Sequence, residues 1–292
     1  MEQICDEVEH MGKIVLLDGA SGTCLWAKAK NQVPVWQYNV EEPAIVSQLH
    51  REYVEAGSRI ILANTFGANA MSVKGTGYQV EEIVSAGVAL AREGAGDRAG
   101  VALDVGPLTS LLEPCGDLTE AEAYEIFDQQ ISAGAAAGPD LIQIETFMDI
   151  ELLKIAVKAA AKHGLPIFCS MSFEASGRTM MGNSVRDMVE GLKGMPVSAV
   201  GLNCSLGPHD AVPLMKEFQA ATDLPLIFKP NAGKPVTVNG RTEMQFDMDT
   251  YVADSLPALD YGVTYIGGCC GTDPAYIRCM AQAVAQWEES HD

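Results

Sequence analysis

Eight short runs of aliphatic and β-branched residues, separated by longer amphipathic stretches, leave this 292-residue chain few folds to choose from. The runs are 13–18, 59–64, 101–104, 141–145, 167–173, 199–203, 226–229 and 264–267. Helical patterns fall between them at 44–56, 80–93, 121–137, 150–162, 211–221, 251–260 and 275–287. Such alternation marks βα units and a parallel sheet. The strands are almost continuously apolar, as strands covered on both faces are, and eight repeats fit an α/β fold of the (β/α)8 TIM-barrel type better than an open doubly wound sheet. Barrels of this kind reach about 250 residues as one unit. No Ser-rich linker, charge block or low-complexity tract divides the chain, so a single domain over 1–292 is expected. Helix starts support the division: Pro43 leads one helix, Thr119 precedes Glu122 at capping-box spacing, and Asp273-Pro274 opens the last.

In a barrel the chemistry sits where the strands end. Read with that rule, the polar residues gather at one mouth: Asp18, Asn64 with Thr65, Asp104, Glu145 with Thr146, Glu174, Asn203 with Cys204, Lys229 with Asn231, and Cys269 with Cys270. Segments 26–39 and 234–249 read as loops over that mouth, and loops of such length are often functional lids.

The adjacent pair Cys269-Cys270 is the most specific chemical signal. A disulfide between neighbours on an extended chain would need a strained ring. Two thiolates can share one ion instead if the backbone turns, as Gly267, Gly268 and Gly271 permit. Cys204 ends strand six and the pair ends strand eight, so three sulfurs can meet at the rim. Three protein sulfurs with one open position suit catalytic Zn²⁺, and a thiol entering that position loses its proton at neutral pH. The competing readings are three packed cysteines or a structural zinc, which would want a fourth protein ligand. Cys5, Cys24, Cys115, Cys169 and Cys279 read as packed or solvent-facing, and the five histidines show no ligand spacing.

Six motifs in order carry a resemblance to the homocysteine S-methyltransferases, the zinc barrels that also form the homocysteine-binding module of cobalamin-dependent methionine synthase. They are Asp18-Gly19-Ala20-Ser21-Gly22-Thr23, Ala63-Asn64-Thr65-Phe66, Glu145-Thr146-Phe147, Gly201-Leu202-Asn203-Cys204, Pro230-Asn231-Ala232-Gly233 and Gly267-Gly268-Cys269-Cys270-Gly271-Thr272. The resemblance implies that Cys204, Cys269 and Cys270 bind zinc and that Asp18 and Glu145 hold the amino group of homocysteine. It implies that amides near Gly19 and Ala20 take the substrate carboxylate, and that Asn231 can fill the open metal position before the thiol arrives. Asn64 and Thr65 join the substrate contacts on the same ground, although Asn-Thr after a strand is also an ordinary turn and capping choice. Asp18 and Glu145 have a plainer reading too, as helix caps or rim ion pairs, and Lys229 as the partner of a rim acid. Ser21 departs from the family pattern, in which methionine is common, and bears on the shape of the pocket wall.

The expected reaction is methyl transfer to homocysteine, giving methionine. The chain resembles the methionine-synthase barrel most, yet its 292 residues contain no Asp-x-His-x-x-Gly cobalamin motif. The methyl donor is therefore expected to be a methylcorrinoid on a partner protein. An alternative is a small donor such as S-methylmethionine or betaine, with Trp26, Trp36, Tyr38 and Phe66 as a candidate aromatic cage. Another is a non-catalytic thiol-binding subunit of a methyl-transfer complex. A net charge of −20 argues against nucleic acid and anionic membranes as partners. The acidic start and the lack of a long apolar run place the chain in the cytoplasm.

Overall fold

A computed structural model describes residues 14–238 and 241–291. Cys5, His10 and Lys13, the first residue of the expected first strand, lie outside the described residues. So do both ends of the expected 1–292 domain, and Asn239 and Gly240 within segment 234–249.

The strands are β1 (Val15–Leu16), β2 (Ile60–Leu62), β3 (Gly100–Val105), β4 (Leu141–Phe147), β5 (Ile167–Met171), β6 (Ala199–Asn203), β7 (Leu226–Lys229), β8 (Pro235–Val238), β9 (Arg241–Met244) and β10 (Val263–Ile266). Eight of them form one parallel sheet in the order β1-β10-β7-β6-β5-β4-β3-β2. The amide of Arg59 donates to the Leu16 carbonyl at 2.8 Å, bringing β1 and β2 together and nearly closing a (β/α)8 TIM barrel. β8 and β9 stand apart as an antiparallel hairpin, where the sequence reading expected only a loop.

Alternation along each strand explains how one barrel can be apolar at its base and charged at its mouth. Val15, Leu17, Ile60, Leu62, Ala102, Leu141, Phe168, Ala199, Ile227 and Tyr265 form a separate inner core to which all eight barrel strands contribute. The Phe168 and Tyr265 rings meet there with centroids 4.5 Å apart. Two or four residues further along the same strands come Asn64, Asp104, Gln143, Glu145, Ser170, Asn203 and Lys229, all buried. The period of two therefore stacks a polar layer directly above the apolar one. A larger core between strands and helices holds the rest, including Tyr53, Phe127, Phe147, Phe218 and Tyr251.

The helix signals hold at Pro43–Ala56, at Glu120–Ala136, where Thr119 and Glu122 form a capping box, and at Pro274–His291, where Asp273 accepts from the amides of Ala275 and Tyr276. The helix Val185–Leu192 was not anticipated. It has its own capping box, Ser184 with Asp187, and buries Val185, Met188 and Leu192. Segment 26–39 is partly helical: Gly22–Lys28 runs through Trp26, and a 3-10 turn at Val35–Gln37 buries Trp36. Segment 251–260 is split between the helix Met248–Ser255 and a 3-10 turn, Leu256–Tyr261.

One buried histidine leaves a signature in stability. Helices Pro43–Ala56 and Val80–Ala95 approach so closely that a Cβ on Gly94 would lie 2.5 Å from the Cβ of His50. His50 is shut between them with both ring nitrogens unpartnered among the described residues, and burial lowers its pKa from 6.5 to about 4. The unfolded chain thus takes up a proton between these values that the folded chain refuses, so His50 costs stability as pH falls from 6.5 towards 4. Urea titrations should find that His50→Leu gains about 2 kcal/mol relative to the parent between pH 7 and pH 5. Parallel pH profiles for the two proteins would refute this.

Candidate active site

Three sulfurs converge at the rim between β6 and β10. The Sγ atoms of Cys204, Cys269 and Cys270 all lie within 4.8 Å of one another, with Cys204 and Cys270 at 3.8 Å. Backbone shape brings them there. Cys204 and Ser205 are both left-handed, with φ of 62° and 57°, which bends the chain out of β6. Such conformations are costly outside glycine and persist only where surrounding contacts enforce them. Here the Cys204 amide donates to Lys229 and the Leu206 amide to Cys204 itself. On the other side Gly271 has a φ of 83°, while a Cβ on Gly268 would meet the Thr272 hydroxyl at 2.4 Å. Gly268 thus answers a close approach and Gly271 a turn. Thr272 closes the loop by donating its hydroxyl to the Cys269 carbonyl at 2.8 Å.

Each of the three sulfurs sets the acidity of the others. Hydrogen bonding with Cys269 and Cys270 pulls the Cys204 pKa down to about 3. The contact with Cys204 pushes Cys270 up to about 11, and contacts with both other cysteines push Cys269 well above the ordinary thiol value. Three sulfurs this close could hold a soft divalent ion, and the 3.8 Å between Cys204 and Cys270 matches the sulfur spacing of tetrahedral zinc–thiolate bonding. Asn203 supports the arrangement from below: its Nδ2 donates to Thr146 Oγ1 at 2.7 Å and approaches Cys269 Sγ at 3.8 Å, while its Oδ1 accepts from the Thr146 amide. Thr146 is itself left-handed, with a φ of 68°. Asn231 hydrogen-bonds Cys204 through its side chain, and its Oδ1 is buried without a partner among the described residues.

The trio forms one wall of a cavity of about 430 Å³. Gly19, Ala20 and Ser21 border it on one side, and Trp26, Trp36 and Phe66 on another. Its inner end is charged. Lys229 Nζ lies 3.2 Å from Glu145 Oε2 and 3.5 Å from Asp18 Oδ1, and the lysine is 2% exposed. Burial works against its ammonium, but Glu145 and Asp18 outweigh that and hold its pKa above the ordinary lysine value. Burial lifts Asp18 to about 6 against the pull of Lys229 and of the Leu62 amide, which donates to Asp18 Oδ2 at 2.8 Å.

A model of the homocysteine S-methyltransferase family matches residues 15–284, nearly the whole chain. The chain belongs to that family. Among its relatives, betaine–homocysteine S-methyltransferase 1 of Mus musculus is 30% identical over 94% of this homocysteine S-methyltransferase family chain and 73% of its own length. The methionine synthase of Mycobacterium tuberculosis is 28% identical over 94% of the chain, which spans only 25% of that protein. The metallated form of the Escherichia coli homocysteine methyltransferase MmuM shares the fold with a TM-score of 0.80, at 24% identity, covering 95% of this chain and 98% of its own.

The strand-end rule gathers most, not all, of the expected residues in this family member. Gly19, Ala20, Asn64, Glu145 and the three cysteines border the cavity, as do Asp104, Thr146 and Lys229. Asp18 is fully buried behind them. Thr65 is also fully buried; its hydroxyl donates to the Asp104 carbonyl at 2.8 Å and accepts from the Asp104 amide. Asn64 is tied to the Val35 carbonyl and to Asn39. The Ala20 amide donates to Thr272 Oγ1 at 3.3 Å. Glu174 is exposed and away from the cavity, because its chain turns back through a bond from the Glu174 amide to Arg178. Of the other cysteines, Cys169 is buried in the core and Cys24 packs against Tyr53 and the Thr272 carbonyl.

Proposed function

We propose that this chain is a zinc-dependent S-methyltransferase that activates the thiol of homocysteine and yields methionine, receiving the methyl group from a methylcorrinoid on a partner protein. The observation that carries the reading is the convergence of Cys204, Cys269 and Cys270 on one wall of a cavity that a small molecule can enter. Zinc held by these three sulfurs would bind the acceptor sulfur and keep it deprotonated at neutral pH. The protein's part is placement. Cys204, Cys269 and Cys270 fix where the acceptor sulfur lies, Asn231 beside Cys204 is the candidate to vacate for it, and Glu145 faces the acceptor's amino group. The Gly19-Ala20 backbone borders the cavity where a carboxylate can be received. As the new S–C bond forms, the bond from the methyl carbon to its leaving group breaks, and the leaving group keeps the electron pair. No proton moves in that step once the acceptor is a thiolate, so positioning supplies the rate.

The corrinoid donor is supported by the similarity to methionine synthases. A second reading keeps the acceptor and takes betaine or a small sulfonium as donor. It rests on Trp26, Trp36 and Phe66 at the same cavity and on similarity to betaine–homocysteine S-methyltransferases; aromatic faces attract such cations. Zinc-edge X-ray absorption should show three sulfur ligands without homocysteine and four with it. Turnover assays with methylcobalamin, betaine and S-methylmethionine then separate the donors. A zinc-free protein, or an unchanged sulfur count, would sink the metal reading; turnover on a free small cation would remove the corrinoid partner.

A further inference from the structure

Three buried polar side chains form a line through the barrel that ends on a sulfur. Gln143 on β4 donates its Nε2 to the Ser170 hydroxyl on β5 at 3.3 Å, and that hydroxyl donates to Asn203 Oδ1 at the end of β6 at 2.8 Å. Asn203 then donates its Nδ2 to Cys269 Sγ at 3.8 Å. None of the three is more than 1% exposed. The direction of the line matters, because the two ends of an asparagine amide have nearly the same shape and opposite chemistry. Its oxygen would repel a thiolate and its N–H stabilises one. The neighbours settle the choice: the Thr146 amide, a donor that cannot reverse, gives its hydrogen to Asn203 Oδ1 at 2.8 Å, and Ser170 adds a second. The nitrogen therefore faces Thr146 Oγ1, at 2.7 Å, and the sulfur. Thr146 is held in a left-handed conformation, with a φ of 68°, that a β-branched residue rarely adopts, and Asn203 grips it at both amide and hydroxyl.

Resting on the metal centre of the proposed function above, we propose that Gln143, Ser170 and Asn203 are positioning residues for the metal. They form a directed hydrogen-bond relay that keeps an N–H on the Cys269 sulfur, and so set how tightly that thiolate holds the ion. Three protein thiolates and a substrate thiolate around one divalent cation leave negative charge in excess, and an N–H donor to one of them draws part of it off. Successive bonds in such a line polarise one another, so Ser170 and Gln143 act on the sulfur without touching it.

The test loads the protein with Zn²⁺, measuring affinity by competition with a chelator, and with Co²⁺, whose sulfur-to-metal charge-transfer band reports the electron density on the thiolates. Asn203→Asp keeps an acceptor for Thr146 and Ser170 but puts oxygen where the nitrogen stood. It should weaken zinc binding by about 10–100-fold and move the cobalt band to longer wavelength. Ser170→Ala should do the same on a smaller scale, about fivefold in affinity, the worth of one neutral hydrogen bond. Ser170→Thr, which keeps the hydroxyl, should return both readings towards the parent. A network that only supports the fold would lower thermal stability and leave the band unmoved; that result overturns the proposal, as does parental zinc affinity in both Asn203→Asp and Ser170→Ala. If the variants do not fold, NMR of the cadmium-loaded parent decides: scalar coupling between the Asn203 side-chain protons and cadmium through the sulfur supports the relay, and its absence overturns it. A parent protein that binds neither zinc nor cobalt would instead strike the proposed function.

Discussion

Cys269→Ser is expected to fold as the parent does, to bind zinc at least about 100-fold more weakly, and to lose methyl transfer. Loss of a partner outside the ligand set already costs about 10–100-fold in affinity at metal sites, and Cys269 is proposed to be in the set. Serine keeps the backbone bond from residue 269 to the Pro230 carbonyl, so the loop between Gly268 and Thr272 keeps its path. What it loses is a soft sulfur 3.8 Å from Asn203 Nδ2. Metal content by emission spectroscopy and thermal unfolding of the zinc-loaded protein report the two halves separately. Cys279→Ser is the control: Cys279 packs against the outer core from the last helix and should leave zinc content and rate unchanged. Full activity of Cys269→Ser would falsify the centre.

Lys229→Met should cost about 3–5 kcal/mol at pH 7.5, because it strands two buried carboxylates without their shared cation. The penalty has a pH dependence whose sign follows from the acids. With Lys229 present, burial already lifts Asp18 to about 6, above its unfolded value. Without Lys229 it rises further, and a raised carboxyl pKa gives stability that is present at low pH and lost as pH rises through it. Urea unfolding should therefore show a smaller loss at pH 5.5 than at pH 7.5. Equal losses at both values would mean that the lysine matters through its packing and not its charge.

The path from sequence to this site is uneven for physical reasons. Strand ends are local, so alternation and the strand-end rule place Asp104, Glu145 and the three cysteines at one mouth from sequence alone. Val185–Leu192 escaped because eight residues give little periodicity, although Ser184 and Asp187 carried the capping signal. The β8–β9 hairpin had its own mark, Asn239-Gly240 between two β-prone runs, hidden inside a segment read whole as a lid. An ion pair between Lys229 and a rim acid was readable at the strand ends, but its reach to Asp18, 211 residues away, and the Asp104 oxygen with no partner among the described residues are different in kind. Which acids meet the lysine, and which oxygen is left over, is decided only when the barrel closes.

That closure has a further meaning in the Lys229 cluster. Asp18 follows β1, Glu145 belongs to β4 and Lys229 ends β7, so one ion cluster samples the ring at three well-separated points. An apolar interior tolerates slippage, since one aliphatic side chain replaces another at modest cost. A charge does not. Sliding any of these strands by one residue would turn its ionic side chain towards the helices and into hydrocarbon. The three charges thus act as a tripod that admits a single alignment of the staves, whatever they also do for a substrate.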